Sequence, residues 1–359
     1  MKYIPLLKTT SAELKGYAQL PDEIKREITP LFELTRDRTH KELYPEGRLE
    51  QALAKALDAQ PIGQLLLDLT THESLMNSQI EALFSEANGY ENWTRFIRDT
   101  GCAERIIPVI QLDADAFDID ENAATLNVQR QIGALAAMSP RVAIRANLDI
   151  EPQELLDFVR IVLGAGLEPN RLIIIIDAEF IKPYTSATYA DDIVERIELI
   201  VGACRAKIFA VCASSFPKSV VETNYGADDQ GTFPIEEVNL NREIDGKLPD
   251  GVDLIYSDYG SVHPIRYEVK GGSWVPRVDL PLENEIYYYR RRRNAGGYKA
   301  AATLVRADVR YRSVDTWGND QIEAATKVPQ GASPSHWISV RINIHVCTQL
   351  KRVEALQNV

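Results

Sequence analysis

Patterned cysteine and histidine are missing from this sequence, and so are long apolar runs. The four cysteines, Cys102, Cys204, Cys212 and Cys347, stand far apart and form no CxxC pair. Disulfide frameworks and zinc sites need closer or patterned spacing, so these are expected as buried thiols in a reducing compartment. The five histidines, His40, His72, His263, His336 and His345, include no HxH or HExxH pair, which argues against the common zinc-hydrolase arrangements. No GxSxG elbow, GxGxxG fingerprint or GxxxxGK[ST] loop occurs. The usual signatures of a serine hydrolase, a dinucleotide fold and a P-loop are therefore missing. No apolar stretch nears the roughly 20 residues that a bilayer span requires. The opening MKYIPLLKTTSAELKGY lacks the apolar core of a signal peptide, so a cytoplasmic location is expected. Basic residues are also in deficit, 40 against 52 acidic ones, for a net charge of -12. That balance disfavours a general nucleic-acid coat.

The sequence does hold a regular alternation. Short apolar runs start at residues 3, 28, 65, 106, 142, 172, 208 and 252. Several are nearly continuous, as in RLIIIID, the pattern of parallel strands buried on both faces. Helical stretches fall between them, including one over 151–163 with Asp149 as its expected cap and Gly164 and Gly166 at its end. Eight strands with intervening helices predict an α/β fold of the (β/α)8 TIM-barrel type, although a doubly wound sheet would alternate in the same way. The 359 residues are read as one domain with an elaborated eighth unit. Residues 217–251 read as a long loop insertion with at most one short helix, and 262–330 as accessory strands and loops, with RYEV and WVPRVDL as strand segments. The stretch 334–356 fits either a helical stripe or strand alternation, and a closing helix is favoured.

A barrel concentrates its chemistry where strands end. Those ends supply Lys8, Glu33 with Arg36, Asp68, Gln111 with Asp113, Arg145 with Asn147, Asp177 with Glu179, Ser214 with Ser215, and Asp258 with Tyr259. Glu33 and Arg145 fall inside apolar runs, where a charge is costly unless paired or solvated. Glu33, Asp68, Asp177 and Asp258 are the candidate proton-transfer residues, and their carboxylates would also suit Mg²⁺ or Mn²⁺. Lys8, Arg36 and Arg145 are candidates for clamping a small anion. The same residues would equally make a structural ion-pair network across the mouth. His345 lies four residues after Arg341 and is a candidate acid or base if its face reaches the mouth, the alternative being a surface pair. The tract IYYYRRRR at 286–293 carries aromatics and arginines. A strand would split them between two faces, so nucleic acid is a disfavoured partner there.

Four segments together resemble the "beta family" proteins of bacteria and phages: YIPLLKTTSAELKGY, ITPLFELTR, DLIYSDYGSVHP and WISVRINIHV. The resemblance implies a barrel and a phage, prophage or anti-phage defence setting, and it assigns no catalytic residues. It draws attention to Lys8, Glu33, Arg36, Asp258 and His345, which stand inside the matching segments. Two functions follow as expectations. One is a barrel enzyme acting on a phosphorylated or nucleotide-like ligand by metal-assisted or acid–base chemistry. The other is a non-catalytic scaffold that binds a protein partner from the same operon.

Overall fold

The computed structural model describes residues 1–220, 226–265 and 274–357. Eight strands run parallel: β1 (Tyr3–Lys8), β2 (Leu31–Leu34), β3 (Leu65–Leu69), β4 (Ile106–Pro108), β5 (Val142–Asn147), β6 (Leu172–Phe180), β7 (Ile208–Ser214) and, after a short β8 (Asp229–Pro234) outside the barrel, β9 (Asp253–Asp258). Their order is β4-β3-β2-β1-β9-β7-β6-β5. The two ends meet through a parallel bridge, Val109 to Ala143, where the Ile110 N–H donates to the Ala143 carbonyl at 2.8 Å. This is the predicted barrel.

The β-rich runs are nearly continuous because both faces are buried. In β6, Ile173 and Ile175 point into the barrel, while Leu172, Ile174 and Ile176 pack against the outer helices. The interior is filled by Ile4, Leu6, Leu31, Leu66, Ile107, Val109, Ala143, Ala210, Cys212 and Ile255 together with the β6 isoleucines. It is a packed core, as side-chain layers in such barrels require.

The outer ring is α1 (Ser11–Ala18), α2 (Asp22–Glu27), α3 (Leu49–Ala59), α4 (Ser78–Leu83), α5 (Ala87–Asp99), α6 (Ala114–Met138), α7 (Pro152–Gly164), α8 (Ser186–Cys204) and α9 (Glu236–Asp245). The α7 helix has a capping box between Glu151 and Glu154 with Pro152 at its first position. Its cap is therefore Glu151 and not the expected Asp149, because Pro152 sets the start of the helix. The stretch 217–251 holds the one helix allowed for there and a strand besides. It contains β8, which pairs with an accessory sheet, and α9, whose buried Val238, Leu240 and Ile244 make it the barrel helix between β7 and β9. Its two leading glutamates and low apolar content hid that stripe.

After β9 come β10 (Arg277–Pro281) and β11 (Glu285–Arg290), which form an antiparallel sheet in the order β10-β11-β8. The expected strand at RYEV lies outside the described residues. Then follow α10 (Gly297–Ala307), α11 (Trp317–Ala325) and the closing helix α12 (Pro334–Gln357). Tyr287, Tyr298, Trp337, Val340 and Ile344 make a small core of their own between this sheet and these helices. As its alternation requires, β11 sends Tyr287 into that core, while Tyr288 turns to the other face against Gly231 and Asp229.

The α12 helix serves both layers. One face packs on the accessory core, and Ile342, Val346 and Leu350 join the main one. It approaches α1 closely at Gly16, whose carbonyl accepts from Asn343 Nδ2 at 3.0 Å. A Cβ at Gly16 would stand 2.5 Å from the Ser339 carbonyl oxygen. Gly16→Ala is therefore expected to force α1 and α12 apart and cost about 1–3 kcal/mol, read as a lower denaturation midpoint with an unchanged m-value.

Candidate active site at the barrel mouth

Strand parity determines which charges enter the mouth. In each strand the residue two positions beyond the last interior apolar side chain forms the next layer up. That step gives Lys8, Glu33, Asp68, Gln111, Arg145, Asp177 and Ser214, and in β9 the same parity runs from Ile255 through Ser257 to Tyr259 just beyond the strand. Register brings Lys8, Glu33 and Asp68 side by side across β1, β2 and β3.

Arg145 is the centre of this layer. Its Nη1 donates to Glu33 Oε2 and Asp68 Oδ2, both at 3.0 Å, and its Nε donates to Asp177 Oδ2 at 2.9 Å. Its Nη2 lies 2.8 Å from the same Asp177 oxygen and 3.2 Å from the Tyr259 hydroxyl, which itself donates to Asp177 at 2.6 Å. Gln111 Nε2 donates to the other Asp68 oxygen at 3.2 Å. Lys8 Nζ stands 3.8 Å from Glu33, donates to the Pro264 carbonyl at 2.8 Å, and lies over the Tyr259 ring. Three carboxylates thus face two cations in a layer that is almost wholly buried.

The charges are uneven in consequence. Burial works against ionising Glu33, but Lys8 and Arg145 outweigh it and hold the carboxyl below its usual range. Burial raises Asp68, which Arg145 only partly offsets, and the Glu33 charge adds to the rise. Burial would weaken Arg145, yet Asp177, Tyr259, Glu33 and Asp68 keep it firmly protonated. The carboxylates do not form a cation cage, because the guanidinium occupies the point where they converge. Among the described residues no group of three or more His, Cys, Asp or Glu side chains is arranged to hold a metal ion.

Beside this layer opens a cavity of about 640 Å³. It is lined by Lys8, by Thr10 and Ser11 at the start of α1, by Arg36 and Arg38 after β2, by His263, and by Ser335 at the start of α12. Arg36 is anchored by two bonds to the Ser74 carbonyl, at 3.2 and 3.1 Å. The acids in the lining have partners: Glu13 accepts from the Lys8 N–H at 2.7 Å and the Thr10 hydroxyl at 2.9 Å, and Asp37 pairs with Lys55 at 2.7 Å.

Five of the eight candidate residues thus converge at the centre of the mouth: Lys8, Glu33, Asp68, Arg145 and Asp177. Arg36 borders the adjoining cavity. Asp258 and His345 do not reach the mouth, and this corrects the expectation. Asp258 is out of step with Ile255 and Tyr259, so it points outward beneath α12. There it accepts from the Tyr3 hydroxyl at 2.7 Å and the Gly260 N–H at 2.7 Å, and contacts His345 Nε2 at 2.8 Å. Arg341 and His345 are not a surface pair either. Both are buried, and Arg341 binds Asp279 of β10 at 2.6 Å. Nearby, Glu237 of α9 accepts from the Ser215 hydroxyl at 2.6 Å and the Ser215 N–H at 2.9 Å. Sequence reasoning named Tyr259 at its strand end but chose its neighbour Asp258 for the chemistry, and it passed over Glu13, Arg38 and Glu237 entirely. Parity alone would have chosen Tyr259; the other three had no local signal.

Two outcomes follow. Arg145→Met strands three buried carboxylates and is expected to cost about 3–5 kcal/mol in urea unfolding, because the charges left behind have no partner. Glu237 carries the opposite sign of pH dependence from Glu33. Burial, with the Asp258 charge, pushes its carboxyl up to about 7. The folded chain then keeps a proton that the unfolded chain releases near the ordinary carboxylate value, so stability is lost as pH rises toward neutrality. Glu237→Gln should accordingly gain on the unsubstituted chain as pH rises from about 5 to 8, by on the order of 3 kcal/mol. Thermal melts across that range test it, and a constant difference would remove the claim.

Comparison with known proteins places this geometry. A family model described as "Beta protein" matches residues 3–351. The "Protein beta" of Enterobacteria phage P4 is 30% identical over 361 residues, covering 99% of this chain and 94% of that protein. Among solved structures, a triosephosphate isomerase from Bartonella henselae aligns at 14% identity over 73% of this chain and 94% of its own, with a TM-score of 0.36. A mutant xylanase A of P fluorescens subsp. cellulosa in complex with xylopentaose aligns at 10% identity over 71% and 85%, with a TM-score of 0.43. The barrel assignment stands on the strand order and not on these two distant likenesses. With a family model matched over nearly the whole length and a phage relative aligned from end to end, the chain belongs to the Beta protein family.

Proposed function

We propose that the barrel mouth binds a small phosphorylated or nucleotide-like anion and carries out acid–base chemistry on it. One observation carries this reading: Lys8, Arg36 and Arg38 border a single cavity beside a buried cluster of carboxylates. Arg36 uses Nε and Nη2 on Ser74, and its Nη1 has no protein acceptor among the described residues. A guanidinium anchored on one edge is preorganised for an oxyanion on the other. The Ser11 and Ser335 hydroxyls add donors, and the start of α1 adds backbone N–H groups. The two acids in the lining are already engaged, so their repulsion of an incoming anion is reduced.

A second reading has its own support. The Arg145 guanidinium makes four hydrogen bonds within the layer, and its Nη2 also pairs with Asp177 at 2.8 Å. Such engagement suits a structural network under a scaffold whose business is a protein partner. We place either reading in a phage, prophage or anti-phage defence setting, in the cytoplasm; the phage relative supports the phage part of that setting. No helix among the described residues is long and apolar enough to cross a membrane.

Isothermal titration with inorganic pyrophosphate and with ADP separates the two. The anion reading expects saturable binding that weakens with salt, and a loss of about tenfold or more in Arg36→Ala and Arg38→Ala with unchanged melting. Failure of the unsubstituted chain to bind either compound, with an operon-encoded protein retained through purification, would establish the scaffold reading instead.

A further inference from the structure

The cavity beside the mouth differs from one side to the other. Strand β1 lies between β2 and β9, so the chain from Lys8 to Glu13 supplies the middle of the lining. That middle is tied to both sides. The Thr9 N–H donates to the Glu33 carbonyl at 3.0 Å, and Lys8 Nζ donates to the Pro264 carbonyl at 2.8 Å. On the β2 side stand Arg36 and Arg38. The apolar residue of that wall, Leu75 after β3, is buried, and its carbonyl accepts from the Arg36 N–H at 2.8 Å.

On the β9 side the lining is Val262 and His263, joined by Ser335 and Ile338 from the first turn of α12. Val262 and Ile338 are only half-buried, although both pack in part on the main core. His263 is held in a fixed plane. Its ring stacks on Phe180 with centroids 4.9 Å apart and planes 21° from parallel, and its Nδ1 lies 3.1 Å from backbone atoms of Ile265. Burial, with the Lys218 and Lys8 charges, holds the imidazole below its usual range, so near neutral pH it is an uncharged flat ring. Cations thus stand on one side of Lys8 and α1, and an uncharged, partly aromatic wall stands on the other.

A bare anion would use only the first of these walls. The volume of about 640 Å³ falls in the range of sites that enclose a whole small organic molecule. An aliphatic tail would cover Val262 and Ile338, but it would strip water from the His263 ring edge and the Ser335 hydroxyl without bonding either. A heteroaromatic base has a flat face for the apolar side chains and the imidazole, and polar edges for Ser335.

We infer that the ligand is a nucleotide lying across the cavity, with its phosphoryl groups on Arg36 and Arg38 and its base against Val262, His263 and Ile338. This inference rests on the anion-site reading above and adds to it the class of the anion and the way it lies.

Calorimetry on the full chain compares ADP with pyrophosphate and with dimethylallyl diphosphate. The three share two phosphoryl groups and differ in what these carry. ADP should bind about tenfold or more tighter than either of the others. Val262→Ser, Ile338→Ser and His263→Ala should each lower ADP affinity by about three- to tenfold and leave pyrophosphate affinity unchanged, which also shows the variant to be folded. Arg36→Ala, on the opposite wall, should lower both alike. If neither ADP nor pyrophosphate binds, the anion site falls and this inference with it. Pyrophosphate or dimethylallyl diphosphate binding as tightly as ADP would overturn this inference and leave the anion site standing. So would an ADP-to-pyrophosphate affinity ratio that is unchanged in all three variants of the β9 side.

Discussion

The molecule depends on one guanidinium. Arg145 enters the barrel at the layer where the apolar core ends, and four strands beside its own bring it a carboxylate or a phenol. Remove its charge in thought and Glu33, Asp68 and Asp177 become three like charges in a space with little water. Neither the packed interior below nor the cavity beside it would then have a stable roof. A buried pair seldom adds net stability over an apolar core of equal volume, because desolvation takes back most of the Coulomb gain. What such a cluster secures here is arrangement: it fixes the height and rotation of five strands against each other. The cost of burying so many charges makes this layer the place where the structure departs most from a minimal barrel, and departures of that kind cluster where function sits.

Much of this was legible in the residues. The isoleucine run of β6 reads as a strand covered on both faces because both faces are covered. The spacing of eight such runs counts out the barrel before any contact is known. Lys8, Glu33, Asp68, Arg145 and Asp177 announce themselves as charges at the end of, or inside, apolar runs. Asp258 misled because strand-end position was weighed without parity; it stands one residue from Tyr259, and that single step sends it to the opposite face of the sheet. His345 misled differently. A helix that packs on two cores buries nearly all of its circumference, so a histidine on it has no polar face to occupy and instead meets the outward-facing Asp258. The role of α9 as a barrel helix was hidden because its burial comes from only three apolar residues under a polar exterior. Glu13, Arg38 and Glu237 reach their places through tertiary packing that no local pattern encodes.

The accessory layer is tied to the barrel through charge as well as apolar contact. Arg341 reaches from α12 to Asp279 on β10, and Arg277 holds the other oxygen of that aspartate at 2.8 Å. The same helix contributes His345 to the outward face of β9 and Ser335 to the lining of the cavity. One helix thus touches the accessory sheet, the back of a barrel strand and the mouth. Any shift along its axis would be felt at all three.

Strand β1 lies between β2 and β9, hydrogen-bonded to both. The first of those neighbours follows it within some two dozen residues, whereas the second is some 250 residues further along the chain. During synthesis, then, the earliest strand to leave the ribosome is among the last to be fully paired, and one of its edges stays open through most of translation. An open parallel edge invites pairing with other chains. Closure must also wait for a contact of very long sequence separation, the kind that slows folding most. The seam between β1 and β9 is therefore where the maturing chain is most exposed to misassembly. The hydrogen bond from Tyr3 to Asp258 spans that seam, and it cannot form until both strands have emerged.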